Sequence, residues 1–207
     1  MKSLLAFTLF FFSSGLSALP ACPSSHFQPA TYFGAAMYQS SPVTEYRFPD
    51  MKDDLELSII EYGKFEIGYV PVVATSIFKS ETDEYRAALV RAKEPKSKHS
   101  EPLAFATFRE LPASLAKRAQ ESSARALRNT HYPKEPCADL WVDGHVVQAL
   151  VPNVEGFGDL VGEVYIPPAE SEAGAVAALG QTLRGYVEGK ATLKELESAV
   201  LAIERHN

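Results

Sequence analysis

Glu155, Asp159 and Glu163 place three carboxylates within nine residues, and Gly156-Phe157-Gly158 lies among them. Two carboxylates about 5–9 Å apart can divide acid and base roles in a hydrolysis, or share a hard cation. The glycines make a bendable loop with an aromatic tip. Four-residue spacing does not by itself bring the acids that close. The competing reading is a turn whose glycines supply positive φ, with Phe157 folded beneath it and the acids in water. His145 adds a group that titrates near neutrality beside Asp143-Gly144, where it is either a base or the solvated flank of a turn. Phe157 and Trp141, the only tryptophan, are the large rings that would anchor a protein partner if exposed.

Other catalytic patterns are missing from the text. No GxSxG, HExxH, CxxC, phosphate-loop or EF-hand motif occurs. The five histidines, His26, His99, His131, His145 and His206, form no i, i+4 pair, and neither Cys22 nor Cys137 has a metal-ligand companion. The expectation is no metal site and no cofactor.

The elements that must hold these groups run from Cys137 to Gly189. Asp143-Gly144, between the apolar runs Ala138–Val142 and His145–Val151, predicts a β-hairpin with a type I′ turn. Both faces of the second run are largely apolar, which predicts a central strand covered on each side. Pro152-Asn153 should end it, the Glu155–Asp159 loop follows, and Leu160–Ile166 reads as a third strand. From Glu172 to Glu188 the period changes. Val176, Leu179, Leu183 and Val187 recur at three- and four-residue steps, Ala173, Ala177 and Gly180 form a small-residue stripe, and Gly189 sits at the C′ position. Thr192 and Glu195 make a capping box for a last helix carrying Leu193, Leu196, Val200 and Ile203. Together these predict a C-terminal helical hairpin.

Upstream, Thr44–Phe48, Leu55–Tyr62, Phe65–Val70, Val72–Phe78, Tyr85–Ala92 and Leu103–Phe108 read as strands, with breaks at Pro49-Asp50 and Gly63-Lys64. Leu111–Arg128 reads as a helix with a thin apolar stripe (Leu115, Ala119, Ala126, Leu127) and a basic face of Lys117, Arg118, Arg125 and Arg128. A thin stripe suits a helix lying on a sheet. The order predicts an α+β fold: an antiparallel or mixed sheet of several strands, packed by one central helix and a C-terminal helical hairpin.

Lys2, the apolar run Leu4–Phe12 and the small residues after it read as a signal peptide over residues 1–21, so the chain is expected to be exported. Residues 22–42 read as an irregular segment or tether, and 43–207 as a single domain. Leu19-Pro20-Ala21-Cys22 resembles the lipobox of bacterial lipoproteins, which implies a lipidated Cys22 and attachment to a membrane through it. The alternative is a Cys22–Cys137 disulfide in an oxidising compartment, closing 115 positions and worth about 4–5 kcal/mol on a chain-entropy model.

The 207 residues carry a net charge of −6, unevenly spread. Residues 86–134 hold eleven basic and four acidic groups; residues 135–207 hold four basic and twelve acidic ones. A basic middle between acidic flanks either meets an anionic surface or complements acidic elements of the same fold. Nucleic acid is not expected as a partner of an exported, net-acidic chain. The expected function is that of an exported, periplasmic or cell-envelope domain, non-enzymatic, that binds another protein as an inhibitor, immunity or accessory factor. Two alternatives stand beside it. One is an exported hydrolase using the Glu155–Glu163 carboxylates with His145. The other is a small-molecule carrier whose sheet is lined by Phe65, Tyr69, Phe105 and Phe108.

Overall fold

The computed structural model describes residues 25–29, 54–65, 68–93, 103–131, 146–165 and 167–206. The leader, the Thr44–Phe48 strand, the Asp143-Gly144 turn, Cys22, Cys137, Trp141 and His145 lie outside the described residues. Seven strands are seen among those described: β1 (Gln28–Pro29), β2 (Asp54–Phe65), β3 (Gly68–Lys79), β4 (Tyr85–Lys93), β5 (Leu103–Leu111), β6 (Val146–Val154) and β7 (Gly158–Tyr165). They form one antiparallel sheet in the order β1-β7-β6-β2-β3-β4-β5. Helix α1 (Ala113–Arg128) enters between β5 and β6, and α2 (Glu172–Val187) and α3 (Leu193–Glu204) close the chain. The fold is α+β, with one central helix and two C-terminal helices packed on each other.

Side-chain alternation assigns the faces. Leu57, Ile59, Ile77, Ala149, Val151 and Val164 point to the helices and share one core with Leu127, Leu179, Leu183 and Val200. Ser58, Ile60, Ala74, Ser76, Val90 and Gln148 point the other way and are also buried. Polar groups on that second face pair with each other: Ser58 Oγ lies 3.0 Å from Ser76 Oγ, and Tyr62 Oη donates to Gln148 Oε1 at 2.9 Å. Burial on both faces explains why Val146–Val151 reads as largely apolar, and this strand does sit between β7 and β2.

Three expected strand interruptions, at Gly63-Lys64, Pro71 and Pro152-Asn153, are absent, and the two prolines are accommodated for one physical reason. Gly63-Lys64 lies within β2, and β3 runs through Pro71. The register slips between Glu61, opposite Val73, and Tyr62, opposite Pro71. Pro152 likewise lies inside β6, where the register slips between Val151 and Val154 and Asn153 takes φ 53°. A proline lacks the N–H that a regular ladder needs, and a bulge removes the need.

The helices are held close by small residues. Helix α1 buries Ala116, Ser122, Ser123 and Ala124 besides the expected Leu115, Ala119, Ala126 and Leu127, so its inward face is wide but shallow. In α2, a Cβ added at Gly180 would lie 2.7 Å from Ile59 Cγ2 on β2. The expected small-residue stripe is therefore a close-approach surface. Ser171 caps α2 by accepting from Gly174 N–H at 3.0 Å, and Thr192 with Glu195 completes the expected capping box on α3.

Candidate functional site

The glycines around Phe157 form the tip of the β6–β7 hairpin. Gly156 and Gly158 take φ 77° and 75°, which side chains other than glycine adopt only at a cost. Phe157 N–H donates to Val154 O at 2.9 Å and closes the turn. Asn153 N–H donates to Asp159 Oδ1 at 2.9 Å, tying the neck of the hairpin together. The tip is thus fixed by hydrogen bonds at two levels.

Phe157 is not folded beneath this turn. It is 61% exposed, and the Arg128 guanidinium at the end of α1 lies 4.7 Å from its ring centroid. The cation holds the ring from the helix side and leaves its remaining surface in water. Nothing local in the sequence pairs these residues, since 29 positions separate them.

The three carboxylates do not gather. Glu155 is exposed in the turn, and Asp159 is exposed and engaged with the Asn153 amide. Glu163 lies half-buried on β7, opposite Gln148 on one side and Gln28 on the other. Four residues of strand separate Asp159 from Glu163, about 13 Å at the usual rise, well beyond the spacing of a working carboxylate pair. Among the described residues, no three His, Cys, Asp or Glu side chains converge as metal ligands.

Two further charged groupings escape a reading of the sequence. At β2, the register slips between Leu55 and Leu57 and takes Glu56 out of the ladder. Its carboxylate accepts a hydrogen bond from Gln120 Nε2 on α1. Burial raises the Glu56 pKa, with the nearby Lys79 charge working against it.

The second grouping lies under the C-terminal end of α2. Arg91 on β4 pairs with Glu188, which also takes Lys190 Nζ at 2.8 Å; Arg184 lies 3.7 Å from the buried Glu61 of β2. Arg109 donates to Tyr186 O at 2.9 Å and lies 4.3 Å from that ring's centroid, while Tyr186 Oη donates to Glu110 O at 2.7 Å. These contacts fasten α2 to the sheet. Part of the basic middle is therefore matched by acids within the same fold.

Among the described residues, Phe108 is the other strongly exposed ring, at 58%, on the sheet-edge strand β5 with Arg86 5.5 Å from its centroid. It stands in water and not in an enclosed cavity. The side chains of Phe65, Tyr69 and Phe105 lie outside the described residues, as do His145 and Trp141. No protein-family model, curated protein or solved structure matches the chain.

Proposed function

We propose that the chain is an exported, non-enzymatic domain of the periplasm or cell envelope that binds another protein, as an inhibitor, immunity or accessory factor does. The observation that carries this reading is Phe157: a large ring 61% exposed at the tip of a hairpin fixed by the Val154 and Asp159 hydrogen bonds. A rigid aromatic loses little conformational entropy on docking, and aromatic and arginine side chains dominate the energetics of protein interfaces. Arg128 beside the ring supplies the second of these residue types. Asp159 and Glu163, about 13 Å apart along β7, do not form a close carboxylate pair.

The test is a photo-crosslinking phenylalanine analogue placed at position 157 of the full chain in its native cells. Leu201, 38% exposed on α3, serves as the control position. The expected result is one discrete protein adduct from position 157 and none from position 201. No adduct at 157, or the same adducts at both positions, overturns the proposal.

A further inference from the structure

His26 and His131 are 105 positions apart in the sequence, yet their ring centroids lie 4.8 Å apart with the planes inclined at 44°. Both residues are exposed. The backbone beneath them is fixed on each side. Phe27, next to His26, is buried, and β1 pairs with β7 at Gln28–Glu163 and Pro29–Gly162. His131 follows the end of α1, and its N–H donates to Phe27 O at 3.1 Å. His131 Nδ1 lies 2.7 Å from Asn129 O. A carbonyl only accepts, so Nδ1 carries the proton and the neutral ring keeps its lone pair on Nε2. A backbone carbonyl holding one ring nitrogen is the usual outer support of a metal-ligating histidine.

We propose that His26 and His131 form a two-histidine site for a borderline divalent cation, Cu²⁺ or Zn²⁺, with water completing the coordination. Two imidazole nitrogens at about 2.0–2.1 Å from one cation, separated by about 90–110° at the metal, put their ring centroids roughly 4.5–5.2 Å apart. The observed 4.8 Å falls in that interval. Each imidazole can give one nitrogen to a hydrogen bond and the other to the cation. Nitrogen ligands select Cu²⁺ and Zn²⁺ over Mg²⁺ and Ca²⁺, which prefer oxygen. With two protein ligands the cation is exchangeable, unlike a closed four-ligand zinc. Its structural effect is a clip: it joins the short strand β1 to the end of α1 and closes a long stretch of chain, which favours the folded state.

Thermal melts of the full chain with and without ZnSO₄, and with MgCl₂ as control, test the site. At a tenfold excess over the dissociation constant, Zn²⁺ should raise the Tm by about 3–6 °C for a chain of this size. His26→Ala and His131→Ala should each abolish the rise, while His206→Ala should keep it. Electron paramagnetic resonance of the Cu²⁺-loaded chain gives a readout independent of stability. Two imidazole nitrogens should couple to copper in the wild type, and fewer in either single variant. No zinc-dependent rise in the wild type, or a rise and a two-nitrogen spectrum that survive in both variants, overturns the proposal.

Discussion

Arg118 and Glu204 meet in a two-pronged ion pair, with Nε donating to Oε1 at 3.0 Å and Nη2 to Oε2 at 2.9 Å. The pair joins the middle of α1 to the last residue of α3, and Glu197 lies 3.5 Å from Nη1 of the same guanidinium. The Arg118 hydrogen bonds hold the Glu204 carboxyl below its usual value. A depressed carboxyl contributes stability above its unfolded pKa and loses it as pH falls through the folded pKa. Glu204→Gln should therefore lower the Tm at pH 7, and the gap from wild type should close below about pH 4. Both side chains are partly in water, at 35% and 27% exposure. Screening thus limits the coupling to about 0.5–1 kcal/mol in a double-mutant cycle with Arg118→Ala. A gap that is constant from pH 7 to pH 3 would show that the charge pair is not its source.

Glu56 should behave in the opposite sense. Burial raises its pKa, so the charged form costs stability above the folded value, and the cost is relieved as pH falls. Glu56→Gln keeps an acceptor for Gln120 and removes the charge. The variant should melt at or above the wild-type temperature at pH 7, with any advantage vanishing in acid. Melting curves of the two glutamine variants, at positions 56 and 204, should converge on wild type from opposite sides as pH falls.

Local chemistry decided what could be read in advance. Helices α2 and α3 and the capping box between them depend on spacings of three and four residues, and their limits fall within a residue or two of the pattern. Pro71 and Pro152 misled because a proline stops a strand only where the ladder is regular, and register slips between strands are not written locally. The hairpin holding Phe157 read as a loop because Gly-Phe-Gly does not reveal a bulge at Asn153 or the Asp159 bond that closes it. The pairing of Arg128 with Phe157, and of His26 with His131, depends on the folded path of α1 across the sheet. No sequence pattern carries those distances.

Gly180 tests the close approach of α2 to β2. A methyl there would press on Ile59 Cγ2 at 2.7 Å and lie 3.5 Å from Thr75 Oγ1. Ile59 is fully buried, so the strain cannot be relieved into solvent. Gly180→Ala should destabilise by about 1–3 kcal/mol through overpacking, despite the higher helix propensity of alanine. Ile59→Ala should also destabilise, by leaving a cavity. The double variant should lose less than the two single losses together, because the new methyl enters the space vacated by Cγ2. Strict additivity in urea titrations would mean that the two residues do not compete for one volume.

Variants at the hairpin tip test the proposed binding role apart from folding. Phe157→Ala removes a ring that is mostly in water, so the stability change should stay within about 1 kcal/mol, the size of an exposed cation–π contact with Arg128. Gly156→Ala forces a Cβ onto a residue at φ 77° that has open space around it. Its cost should be backbone strain alone, about 1–2 kcal/mol. Asp159→Ala strips the acceptor from Asn153 N–H and loosens the neck of the turn without touching the ring. Partner capture by the full chain should then fall most for Phe157→Ala, although that variant is expected to melt closest to wild type. A ranking of capture that simply follows the melting temperatures of the three variants would count against recognition by the Phe157 ring.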